Sequence, residues 1–168
     1  MSDHFTLDFC CDLRGELTAT ERSTLEYLVR GGVAPPPVLP EHPYFERGLT
    51  EYPNWRAYKG FEPGQFNSTL WVRGGQPGAE LLGLSLRLPS LKIEAMYEDA
   101  LPYLTWLATL SESHGFAGHT FCEETRRLGS LLFIFERELY VDFEPKPAPI
   151  SCVTGSKWTG PLDEGPQD

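Results

Sequence analysis

In "AELLGLSLRLP", Leu82, Leu84, Leu86 and Leu88 take every second position, with Gly83, Ser85 and Arg87 between them. Successive side chains of a strand point to opposite faces, so the pattern describes a strand with one buried face and one polar face. A sheet of such strands needs cover on one side only, which favours antiparallel pairing over the doubly covered parallel arrangement. "FTLDFCCDL" carries the same signature, with Phe5, Leu7, Phe9, Cys11 and Leu13 on one face and Thr6, Asp8, Cys10 and Asp12 on the other. "STLWVRGG" and the turn "GGQPG" complete a hairpin with the leucine strand.

Two helices are expected beside these strands. In "TATERSTLEYLVRGG", Thr18 and Glu21 fit a capping box, Leu25, Leu28 and Val29 supply an apolar face, and Gly31 and Gly32 end the run. Ile93, Met96, Tyr97, Ala100, Leu104, Leu107 and Ala108 recur at helical spacing, which predicts a second helix over 94–111. Pro102 removes a backbone donor there, so the helix either kinks at that point or begins its regular part just before it. "GFAGHTFCEETRRLGSLLFIFERELYVDF" reads as two further strands joined near Leu128 and Gly129, the second with Leu131, Phe133, Phe135, Leu139, Val141 and Phe143 on one face.

The order β-α-β-β-α-β-β predicts an α+β fold: a single, mostly antiparallel sheet of about five strands with two helices on one face. Residues 1–143 are expected to form one domain, and 144–168 an irregular C-terminal tail of turn composition. A long Pro-rich and aromatic loop, 31–67, interrupts the domain after the first helix; the second sheet face is then open or covered by this loop.

Composition narrows the functional classes. The 168 residues carry 14 basic and 24 acidic side chains, a formal charge of −10, which repels a phosphate backbone and disfavours nucleic-acid binding. No apolar run reaches the roughly 20 residues of a membrane helix, and the start "MSDHFTLDF" lacks a secretory pattern, so a cytoplasmic location with no membrane contact is expected. Cys10 and Cys11 are adjacent and read as reduced thiols.

"ESHGFAGHTFCEE", residues 112–124, gathers two histidines, a cysteine and three glutamates. His119 and Cys122 are three apart and point to opposite strand faces, and no closely spaced second pair of ligands exists, so no metal site is read here and no cofactor is implied. GxSxG, Walker, GxGxxG and HExxH motifs are missing, and "RGGQPG" lies between strands as a hairpin turn. Asp8, Asp12, His119 and Glu136 are the weak catalytic candidates, as polar groups beside an open sheet face.

The aromatic loop supplies the stronger signal, because aromatics together with Arg are favoured at recognition surfaces. Tyr44, Trp55, Arg56 and Tyr58 are the candidate partner-binding residues. These features favour a non-enzymatic, acidic protein-binding domain that docks on a basic protein, as an inhibitor or a toxin-neutralising immunity protein does. The alternative is a small-molecule-binding domain or hydrolytic enzyme with a pocket between the open face and the 31–67 loop, into which Asp8, Asp12, Arg87, His119 or Glu136 would point. A homodimer joined across the open face is a third option.

Overall fold

The structure is a computed structural model that describes residues 4–30, 36–46, 68–77, 79–142 and 156–157. Its strands are β1 (His4–Asp12), β2 (Thr69–Gln76), β3 (Ala79–Lys92), β4 (Gly115–Cys122), β5 (Arg127–Phe135), β6 (Glu138–Asp142) and the two-residue β7 (Ser156–Lys157). They form one antiparallel sheet in the order β2-β3-β1-β4-β5-β6-β7. Helix α1 spans Ala19–Arg30. A second helical run, α2, joins Ile93–Ala95, a π turn Met96–Ala100 and an α segment Leu101–Leu110. The fold is the expected α+β arrangement, with both helices against one face of the sheet.

The period-2 pattern determines which face is buried. Leu7, Phe9, Cys11 and Leu13 of β1 and Leu82, Leu84, Leu86 and Leu88 of β3 lie in the core. Asp8 and Arg87, directly opposite one another across β1 and β3, face away from the helices. An extra residue in β3 shifts the register between Phe5 and Leu7. Pro89 and Ser90 fall at this bulge, where a missing donor and a positive φ of 54° are tolerated. Gly118 is needed for the close approach of β4 to β1, since a Cβ there would stand 2.0 Å from the Asp8 carbonyl oxygen.

Helix α1 begins with the expected capping box: the Glu21 N–H donates to Thr18 Oγ1 at 3.2 Å, and the Thr18 N–H donates to Glu21 Oε2 at 2.8 Å. In α2, Pro102 falls in the first turn of the Leu101–Leu110 segment, directly after the π turn. Its missing N–H and bulky ring are thereby placed where an α segment starts, and the helical run continues through it. The α2 segment is apolar nearly all round, because a second layer covers it. The 3₁₀ turn Pro43–Phe45 sets Tyr44 against Tyr103 in a tilted ring contact at 5.4 Å and Phe45 edge-on to Trp106 at 4.9 Å. This described part of the 31–67 loop therefore packs on the helix side of the sheet.

One strand reading is corrected. The run expected as a single last strand is a hairpin, β5 and β6, closed by Glu136 and Arg137 with φ of 50° and 65°. Two central residues with positive φ make the type I′ turn that matches strand twist. The turn reverses the side-chain parity. Leu132 pairs with Val141 and Ile134 with Leu139 on the core side, while Leu131, Phe133 and Phe135 turn to the outer face, apart from Leu139 and Val141. At the far edge, β7 of the expected tail pairs with β6 through Tyr140–Lys157 and Val141–Ser156.

Replacing Arg137 with Gly removes a left-handed strain and is expected to raise stability by about 1 kcal/mol, read as a higher urea midpoint with an unchanged slope. A pH dependence is also expected at the 3₁₀ turn, where His42 Nδ1 accepts from the Tyr44 N–H at 3.2 Å. Only the neutral ring has this lone pair, and burial lowers the His42 pKa. Its contribution is complete above the unfolded value of about 6.5 and lost as pH falls through the depressed folded value. Thermal melts from neutral to acidic pH should show a steeper loss for wild type than for His42→Asn, whose amide oxygen caps at every pH.

Candidate functional site

The sheet face turned away from the helices divides into a charged half and an aromatic half. In the charged half, Asp8 pairs in register with Arg87 of β3 and His119 of β4. Its carboxylate stands 3.7 Å from Arg87 Nη1, a distance of ion pairing rather than hydrogen bonding, and 3.8 Å from His119 Nε2, beyond hydrogen-bond reach. Arg73, at the β2 bulge between Val72 and Gly74, reaches across the end of β1. Its Nε lies 3.2 Å from Asp12 Oδ1 and its Nη2 pairs with Glu112, while the same side chain donates to the Leu82 and Leu13 carbonyl oxygens. These half-exposed pairs balance charge locally, each contributing about 0–1 kcal/mol.

The structure thus brings Asp8 and His119 together and sets Asp12 apart. Four residues along a strand separate the Asp8 and Asp12 backbones by about 13 Å, too far for their carboxylates to work on one bond as an acid and base pair. Glu136 is in the β5–β6 turn and belongs to neither half of the face. Cys10 is exposed between the two aspartates, and burial followed by the Asp12 charge pushes its thiol pKa up, against thiolate formation. Burial pushes the neighbouring Cys11 thiol up to about 12.

The residues of 112–124 are drawn to different neighbours. Glu112 goes to Arg73, Ser113 Oγ accepts from the Asp12 N–H, His114 packs edge-on to Phe135 at 4.7 Å, and His119 joins Asp8. Glu123 accepts from Thr6 Oγ1 and from the Ser90 N–H, both at 2.8 Å; burial raises its pKa, but these bonds outweigh that and leave it lowered. Glu124 accepts from the His4 N–H and pairs with His4 Nδ1, both at 2.8 Å. Among the described residues, no three His, Cys, Asp or Glu side chains converge on a metal-sized position.

The aromatic half follows from the reversed parity of the β5–β6 hairpin. Phe116 lies 5.9 Å from Phe133, Phe133 stacks on Phe135 at 6.2 Å, and Phe135 meets Tyr140 at 5.6 Å. Phe116 is 59% exposed. Reading 131–143 as one continuous strand hides this cluster by assigning Phe133 and Phe135 to the core. The local sequence Glu136-Arg137 lacks the Asn-Gly or Asp-Gly signature that marks such a turn, so little in the sequence announces it.

Of the expected partner-binding residues, Tyr44 is buried, 2% exposed, because the 3₁₀ turn lays its ring on α2; it belongs to the core rather than to an open surface. Trp55, Arg56 and Tyr58 lie outside the described residues. An open depression of about 440 Å³ lies beside the same turn, lined by Leu39, Pro40, Glu41, His42, Pro43, Phe45 and Glu46. Asp8, Asp12, Arg87, His119 and Glu136 are not among its lining residues. Among the described residues, no helix is long and apolar enough to cross a membrane. Comparison with known protein families, curated proteins and solved structures finds no match to the chain.

The hydrogen bonds and ion pair from His4 hold the Glu124 carboxyl at a pKa of about 2, below its ordinary 4.5. A lowered carboxyl stabilises the fold above its unfolded value and loses that contribution as pH falls through the folded one. Acid titration between these limits is therefore expected to destabilise wild type more steeply than Glu124→Gln, followed by circular dichroism.

Proposed function

We propose that this chain is a non-enzymatic protein-binding domain that docks a basic protein through the outer face of its sheet, acting as an inhibitor or a toxin-neutralising immunity protein. The observation that carries the reading is the aromatic half of that face, which runs from Tyr140 and Phe135 through Phe133 to the exposed Phe116. Phe116 with the partly exposed Phe135 and Tyr140 offers aromatic contact area on a rigid sheet at little cost in side-chain entropy, with the buried Phe133 between them as support, the usual chemistry of a binding hot spot.

Charge supports the choice of a basic partner. The formal net charge of −10 steers a cationic protein during encounter. The paired charges beside the aromatic half give the contact register, since Asp8, Asp12 and Glu112 each face a cation that a docking Lys or Arg would join or replace. Trp55, Arg56 and Tyr58 remain candidates for a second part of the contact.

The test is affinity capture of the tagged full chain from lysate of its host at low and at high salt, with mass spectrometry of the bound proteins and with Phe116→Ala beside wild type. A basic protein recovered at low salt, depleted at high salt and bound about tenfold more weakly by Phe116→Ala is the expected result. Equal recovery by the variant would show that the outer aromatic face is not the docking surface.

A further inference from the structure

Among the described residues, β2 forms an edge of the sheet: β3 pairs with one side of it, and the other side carries no described strand. Edge strands in soluble proteins are usually blunted by Lys, Pro, an inward charge or a β-bulge, because an open row of N–H and C=O groups pairs readily with another strand. The regular stretch of β2, Thr69-Leu70-Trp71-Val72, has none of these and pairs without a break to Ser85, Leu84, Gly83 and Leu82. Irregularity begins only at the Arg73 bulge. Val72 is 61% exposed and Trp71, whose ring lies over Gly83, is 37% exposed.

We infer that β2 is a self-association edge, where two copies of this chain pair their Thr69–Val72 stretches antiparallel about a two-fold axis and continue the sheet from one copy into the other. Three features favour a second copy as the occupant. The first is charge: residues 69–72 are uncharged, so pairing two copies there sets no like charges opposite one another. The nearest charged side chain in the strand, Arg73, is held back on its own sheet by Asp12 and Glu112.

The second feature is face matching. Directly opposite residues of an antiparallel pair share a face, so a two-fold pairing of this stretch centres on Leu70 or on Trp71 and on no point between them. The third is the fit of the side chains. Leu70 already packs against the core on the helix side, and Val72 extends the same side into solvent. With Leu70 at the centre, Val72 lies diagonal to Leu70 of the second copy; with Trp71 at the centre, it lies directly opposite that residue. The Trp71-centred register covers the exposed valine with Leu70 directly, and the Leu70-centred one sets it opposite Ser68 with Leu70 beside it. An isologous contact of this kind closes on itself as a dimer and leaves no further β2 edge open. It uses a different surface from the outer-face docking proposed above and does not rest on it.

Sedimentation velocity of the full chain, from low to high micromolar concentration, tests the inference. Wild type should rise from the mass of one chain to that of two. Val72→Lys, at an exposed position where the fold tolerates it, should stay at one chain throughout, with a circular dichroism spectrum matching wild type. Ile93→Lys, an exposed apolar position away from β2, should dimerise as wild type does. A wild-type chain that stays single at every concentration, a Val72→Lys variant that still dimerises, or equal loss of dimer in both variants would overturn the inference.

Discussion

The burial of α2 between two layers is the interaction on which the other parts depend. Leu101, Leu104, Leu107 and Leu110, together with Tyr103 and Trp106, are withdrawn from water almost completely. A helix with apolar residues on nearly every side is stable only when covered all round. The sheet provides one cover through the leucines of β3, the inward residues of β1, and Leu132 and Ile134 of β5. The 3₁₀ turn provides the other, with Tyr44 and Phe45 against Tyr103 and Trp106. The end of α2 is then tied to the end of β1, where the Arg14 N–H donates to Leu110 and the Glu112 N–H to Asp12. Ser111 and Ser113 complete this junction through bonds to the Asp12 backbone, a structural role for both hydroxyls.

Committing one sheet face to this core leaves the other to specify contacts. Across β3, β1 and β4, polar groups meet in register from Arg87 to Asp8 to His119, with Arg73 closing the end of β1. Across β4, β5 and β6, aromatic rings replace them. The boundary between the halves is also a boundary between causes: the charged half follows from simple alternation along β1 and β3, whereas the aromatic half exists because the β5–β6 turn reverses parity.

Much of the fold was legible because its signals are local. Alternation gave β1 and β3, Thr18 and Glu21 marked the start of α1, and the spacing of Met96, Ala100, Leu104, Leu107 and Ala108 revealed α2. The site was less legible. Asp8 and His119 were separate candidates 111 positions apart, and only strand pairing makes them neighbours. Phe133 and Phe135 were assigned to the wrong face because two ordinary residues, Glu136 and Arg137, adopt positive φ without the glycine that would announce it. Tyr44 looked like part of a recognition loop, and its partner on α2 lies 59 residues away.

The sequence by itself determined the α+β class, one half-buried sheet, two helices and a strongly acidic chain, since period, capping and composition act through neighbours in the chain or through the chain as a whole. Tertiary structure decided strand order, the direction of the outer-face aromatics, the partners of Asp8, Asp12, Glu112, Glu123 and Glu124, and the place of β2 at an edge of the sheet among the described residues. These depend on which residues distant in sequence meet across the sheet, and alternation along one strand carries no information about the strand beside it.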